Sequence, residues 1–104
     1  MTKEDKLVHV NITFRHTEAT DALKDYGTEK VESCIKKFAH HDTEAHLVLL
    51  VEKNRQIAEV SCHCDGADFN VHHEGDDMYA SIDGAVDKLS RQLRKHKDKL
   101  TSHH

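Results

Sequence analysis

The chain reads as a two-layer α+β sandwich, element order β-α-β-β-β-α, with both helices on one face of a four-stranded mixed sheet. The class follows from three observations. Residues 7–15 alternate apolar and polar side chains, with Val8, Val10, Ile12 and Phe14 on one side and His9, Asn11 and Thr13 on the other, which is the period of a half-buried strand. Three more strand-like stretches lie between residues 45 and 74, separated by short turn signals. Two other stretches, one after residue 20 and one filling the last quarter, repeat apolar residues at helical spacing instead.

The elements follow in order. Thr20-Asp21 opens the first helix, with threonine as N-cap and an acid in the first turn. Leu23, Tyr26, Val31, Cys34, Ile35 and Phe38 form its apolar face, and the pattern stops near Phe38. Gly27 interrupts that face at a cost of about 1 kcal/mol relative to alanine, so it marks either a close approach to the sheet or a weak spot. Residues 40–43 read as a loop. Residues 45–53 form the second strand, with Ala45, Leu47, Leu49 and Val51 on one face, and Asn54-Arg55 turns the chain into a third strand over 56–64. Asp65-Gly66 is a hairpin signal, and residues 68–74 form the fourth strand. Gly75-Asp76 leads into a helix capped by Asp76 or Asp77 and running to Leu100, followed by a frayed tail over 101–104. The first β-α-β unit should be parallel and right-handed, and the next three strands an antiparallel meander. Only one sheet face is consistently apolar, so both helices must cover it.

At 104 residues the chain is expected to be a single domain, residues 1–104, with an ordered core over about 7–100. A hydrophobic fraction of 37% beside a charged fraction of 33% describes a polar surface. Two tyrosines, three phenylalanines and no tryptophan argue against a broad base-stacking platform. The absence of proline fits regular elements joined by short turns. No apolar run approaches a membrane span, and the charged first six residues lack a signal-peptide core. Three cysteines cannot complete a disulfide framework, so a reducing cytoplasm is the simplest compartment.

The charge is unevenly distributed. From residue 86 to 100, six cations (Lys88, Arg91, Arg94, Lys95, Lys97, Lys99) stand against Asp87 and Asp98 and leave +4, while the whole chain carries −4 and the remainder therefore −8. That partition suits a directed contact with phosphates, with the acidic remainder opposing indiscriminate polyanion binding. On a helical wheel, Met78, Ile82, Val86, Leu93 and Leu100 fall within about 60° of Leu89 and form the buried stripe. Lys88, Arg91, Lys95 and Lys99 share one flank as a cationic ladder. Arg94 and Lys97 lie on the other, where Asp83, Asp87 and Asp98 soften their field. Lys30 and Lys37, seven apart on the first helix, would line a groove with the ladder if the helices lie side by side. Lys-rich faces are ordinarily just solvated, and the pattern alone is equally compatible with that. Four phosphate contacts would give a log–log salt slope of roughly −3 to −4.

The last quarter resembles the ribosome hibernation promoting factor family, which includes the ribosome-associated inhibitor protein Y. The residues that carry the likeness are Asp77-Met78-Tyr79-Ala80, Ile82-Asp83, Asp87-Lys88-Leu89, Arg91-Gln92-Leu93 and 95–100, with support from Thr20-Asp21-Ala22-Leu23, Lys30, Phe38 and Val51-Glu52-Lys53. The resemblance implies a fold shaped like a double-stranded RNA-binding domain. It implies a non-enzymatic cytoplasmic translation inhibitor that occupies the mRNA and tRNA channel of the small ribosomal subunit in stationary phase or stress, without a cofactor. The family's RNA-contacting basic positions match Lys30, Lys88, Arg91, Lys95, Lys97 and Lys99, and a family lysine falls on Ser33, leaving Lys36 and Lys37 as neighbouring cations. The chain is similar to the family's short forms, or to an excised N-terminal domain. Short forms pair ribosomes only with a separate partner protein, so a monomer is expected off the ribosome.

Other constellations point elsewhere. Cys62-His63-Cys64 with His72-His73 invites a zinc reading, but alternation turns Val60, Cys62, Cys64, Phe69, Val71 and His73 inward and His63 and His72 outward, so no tetrahedral set converges. No metal site is expected. Cys34 sits on an apolar face as an inert core thiol, and His96 falls at the edge of the buried stripe. Tyr79 suits either stacking on a base or packing against the sheet edge. Eleven histidines add positive charge below about pH 6.5, which would strengthen RNA binding. No nucleophile motif, glycine-rich phosphate loop or acid pair suggests catalysis. The alternatives are a stand-alone double-stranded RNA-binding module and, in a different class, a His/Cys metal-handling protein.

Overall fold

The computed structural model describes residues 7–101, and its elements appear in the expected order: β1 Val8–Arg15, α1 Asp21–Phe38, β2 Thr43–Glu52, β3 Arg55–Cys64, β4 Ala67–Gly75 and α2 Met78–Thr101. The expectations for residues 1–6 and 102–104, and for the Leu100 side chain, lie outside the described residues. The strands form one sheet in the order β1-β2-β3-β4. β1 pairs with β2 in parallel, Val8 opposite Thr43 and Arg15 opposite Leu50. β2, β3 and β4 form the antiparallel meander.

The core lies between the sheet and the helix layer. Ala45, Leu47 and Leu49 of β2, Ala58 and Val60 of β3, Val31 and Ile35 of α1, and Ile82, Ala85 and Leu89 of α2 have no exposed surface. Val8, Val10, Ile12 and Phe14 of the edge strand pack against this cluster while remaining partly exposed. The alternation expected across β3 and β4 holds, with Cys62 opposite Phe69 and Val60 opposite Val71 on the inner face, and His63 opposite Asp68 on the outer. Gly27 is a close approach rather than a weak spot: a Cβ there would stand 2.6 Å from the Leu47 side chain.

The element ends carry the caps that the sequence suggests. The Thr20 hydroxyl accepts from the Leu23 N–H at 3.1 Å, and Asp77 rather than Asp76 caps α2, its carboxylate accepting from the Ala80 N–H at 2.8 Å. The β2–β3 connection differs by one residue from the expectation. Glu52 pairs with Arg55, so the turn is Lys53-Asn54, with Lys53 at φ 59°. The strand takes Arg55 because its side chain reaches across to Glu74 at 3.1 Å and back to Glu52 at 3.8 Å. Asp65 and Gly66 turn the next hairpin at φ 49° and 84°, the left-handed pair that a two-residue turn requires. α2 continues through Thr101, one residue past its expected end.

Candidate nucleic-acid interface

α2 is 24 residues long and buries one stripe, with Met78, Ile82, Leu89 and Leu93 each at most 6% exposed. Ser81 and Ala85 are buried beside that stripe, and the cations stand outside it. α1 runs beside it in the same direction: Tyr26 meets Asp83, Cys34 approaches the Val86 carbonyl, and Phe38 lies under Arg94. α1 has 18 residues, so the basic end of α2 runs on past it.

This packing splits the cations instead of gathering them. The Lys88 Nζ donates to the His72 carbonyl of β4 at 2.9 Å, which places the Lys88 flank on the sheet side, away from α1. The groove between the helices, about 330 Å³, is lined by Lys30, Ser33, Lys37, Asp83, Asp87 and Ser90 among others. The expected groove shared by Lys30, Lys37 and the Lys88–Lys99 ladder is therefore not formed. A wheel fixes angles on one helix but not which neighbour sits on which flank. α2 is instead a ridge, with Lys30 and Lys37 across the groove on one side and Lys88 on the other.

The individual cations differ in how committed they are. Arg91 is paired with Asp87 at 2.8 Å, although the acid was expected to soften Arg94. Lys30 stands 4.0 Å from the Asp83 carboxylate and 5.4 Å from the centre of the Tyr26 ring. Arg94 lies over the Phe38 ring at 6.0 Å. Lys97 is half-buried, and it interacts with neighbouring groups. Lys37, Lys95 and Lys99 are exposed and have no ion pair among the described residues. Lys95 borders a shallow outer recess with Arg91, Arg94 and Asp98. Lys36 is tied to Glu32 at 3.5 Å, which weakens its claim to replace a lysine at Ser33. The pairs Arg91–Asp87, Lys30–Asp83 and Lys36–Glu32 are exposed, so each contributes little to stability and can exchange for a phosphate.

Two clusters were not visible as such in the sequence. At the start of α2, Tyr79 meets the Tyr26 ring edge-to-face at 5.0 Å, so it packs on α1 rather than on the sheet edge. The Tyr26 hydroxyl donates to Asp83 at 2.6 Å, and this bond holds its pKa above the ordinary phenol value. Both helical faces were legible, but their juxtaposition was not. At the other end, the Asp65 carboxylate, 7% exposed, accepts from the His40 N–H at 3.1 Å and from the rings of His40 and His41 at 3.1 and 3.2 Å. The Asp65 carbonyl meets the half-buried ring of His96 at 3.1 Å, which locks α2 to the β3–β4 turn.

Among the described residues no group of three or more His, Cys, Asp and Glu is arranged to hold a metal ion. His63 is bonded to Asp68 at 2.7 Å on the outer face. The three thiols lie inward, and burial pushes Cys34 up to about 11 and Cys62 up to about 12. No helix among the described residues is long and apolar enough to cross a membrane.

Comparison with known proteins agrees with this geometry. The model of the Sigma 54 modulation protein / S30EA ribosomal protein family matches residues 10–101. A ribosome hibernation promoting factor of Klebsiella oxytoca is 45% identical over 96 residues, which is 92% of this chain and 100% of that protein. The factor of Escherichia coli strain K12 is 40% identical over the same shares. The crystal structure of the Thermus thermophilus protein Y N-terminal domain superposes with a TM-score of 0.76 at 30% identity, over 86% of this chain and 98% of that one. A ribosomal subunit interface protein from Coxiella burnetii, 24% identical with a TM-score of 0.75 over 86% of this chain and 97% of that one, shares the fold. With the basic ridge, the two-layer fold and these relatives in agreement, the chain belongs to the Sigma 54 modulation protein / S30EA ribosomal protein family, the family of the ribosome hibernation promoting factors.

Proposed function

We propose that this protein is a non-enzymatic translation inhibitor of the bacterial cytoplasm that acts as one ribosome-binding domain, residues 1–104. It occupies the mRNA and tRNA channel of the small subunit in stationary phase or stress, and binds as a monomer. Pairing of ribosomes would need a separate partner protein. The observation that carries the reading is the α2 ridge: +4 of formal charge over residues 86–100 of an otherwise acidic chain, set on a helix whose other face is locked into the core. Lys88, Arg91, Lys95, Lys97 and Lys99 supply phosphate contacts from the ridge, and Lys30 and Lys37 from across the groove. A rigid convex rod with cations on both flanks fits between two backbone strands of structured RNA, where shape and phosphate position decide binding more than base identity.

The test is sedimentation of the purified protein with small subunits and whole ribosomes, wild type beside the double variant Lys88→Glu/Lys95→Glu. The wild type should pellet with both particles and be displaced by P-site tRNA, while the variant should stay in the supernatant. Equal pelleting of the two proteins removes the ridge from the mechanism. Equal affinity for ribosomes and for any RNA duplex would instead mark a general double-stranded RNA-binding module.

A further inference from the structure

The chain holds two exposed large apolar side chains among its described residues, Leu7 and Tyr79, and Tyr79 is 40% exposed. An isolated surface aromatic means little. This one is held in place. Tyr79 abuts the Tyr26 ring at 5.0 Å with an interplanar angle of 76°. Tyr26 is in turn fixed by its 2.6 Å hydrogen bond to Asp83, one helical turn beyond Tyr79 on α2. Lys30 completes the group, its ammonium 5.4 Å from the Tyr26 ring centre. A partly open ring braced from one side, with a cation over the bracing Tyr26 ring whose exposed pairing with Asp83 at 4.0 Å a phosphate can exchange, matches what an unpaired nucleotide needs: a π surface for the base and a positive charge for its phosphate.

We propose that Tyr79, braced by Tyr26, is a stacking site for a single unpaired RNA base, with Lys30 taking the adjoining phosphate. This rests on the ribosome-binding reading above and deepens it. The cationic ridge recognises the backbone of structured RNA, while Tyr79 adds a contact that duplex RNA cannot make because its bases are already stacked. The site lies at the beginning of α2, whereas the ladder ends near its C-terminus. An unpaired base and a paired stem at opposite ends of one helix would therefore fix the orientation of the protein on its RNA.

The chain has no tryptophan, so its fluorescence reports the two tyrosines directly. A single-stranded oligoribonucleotide of about ten residues, titrated at low salt, should quench that emission in the wild type, and a duplex of the same length should quench it far less. Tyr79→Phe keeps a π surface and should bind within about twofold of wild type. Tyr79→Leu keeps the apolar volume but not the π surface, and should lose about tenfold in affinity for the single strand, read by anisotropy of a labelled strand, and a comparable factor for small subunits. A Tyr79→Leu protein that binds both as tightly as wild type overturns the stacking site, as does a wild type that fails to bind the single strand. If wild-type protein binds the single strand through Tyr79 but does not pellet with ribosomes, the ribosome reading falls and the stacking site stands.

Discussion

Ser81 shows how much one small side chain can organise. It is fully buried, and its hydroxyl donates toward the Gln56 carbonyl at 2.6 Å, lies 2.9 Å from the Asp77 carbonyl and accepts from the Gly75 N–H at 2.9 Å. The end of β4, the start of β3 and the first turn of α2 thus meet on one oxygen. Ser81→Ala removes the hydroxyl from the Gly75 N–H and the Gln56 carbonyl, while the Asp77 carbonyl keeps the backbone N–H of residue 81 at 3.0 Å, and should cost about 1–3 kcal/mol in urea unfolding. Asp65 plays the same part at the far end of the sandwich. Burial of its carboxyl favours the neutral form, but hydrogen bonds from the His40 N–H and from the His41 and His40 rings outweigh it, and its pKa lies below the ordinary 3.8. A depressed carboxylate stabilises the fold above its unfolded value and loses that contribution as pH falls through the folded one. Asp65→Asn should therefore be less stable than wild type at pH 7, and the gap between the two melting temperatures should narrow below about pH 4. Neither residue was singled out for these roles by the sequence. No local pattern marks Ser81, and Asp65 reads only as half of a hairpin dipeptide, because the Gln56 carbonyl and His40 that they engage each lie 25 residues away.

At the scale of elements, what periodicity encodes was readable and what packing decides was not. The alternation in β1 and β2, the Thr20 cap and the α2 stripe from Met78 to Leu93 each depend on residues within a few positions, and all are as expected. The turn at Lys53-Asn54 shifted by one residue because a cross-strand partner, Glu74, holds Arg55 in the strand. The flank of α2 that faces α1 was set by the direction in which the helices run, and no pattern within α2 contains that. The same limit explains Arg91. Asp87 lies four residues before it, the spacing of a helical ion pair, and the pair is made at 2.8 Å with both side chains more than half exposed. Asp87→Asn should leave thermal stability within about 0.5 kcal/mol. By releasing Arg91 and removing an anion from the ridge, it should also keep more protein on the ribosome when salt is raised, as read by pelleting.

At the scale of the whole molecule, the partition of charge matters more than its total. A chain of net −4 that carries +4 on a short segment of one helix approaches a polyanion in one orientation. On the proposed function, association with ribosomes should weaken steeply with salt, and the log–log slope should become shallower by about one unit when Lys95 is replaced by glutamine, the change expected if Lys95 meets one phosphate and no base. The fold beneath can support such a surface because none of the cations belongs to the core, which is built from the inner faces of β2, β3, β4, α1 and α2 with β1 packed against it. The same core encloses Cys34 on α1 and Cys62 and Cys64 on β3, 5%, 7% and 2% exposed, with desolvation holding Cys34 and Cys62 far from the reactive thiolate. An alkylating reagent can reach them only while helix layer and sheet are apart, so the rate at which these sulfurs are labelled is a clock for breathing of the sandwich, wound by the protein's own sequence.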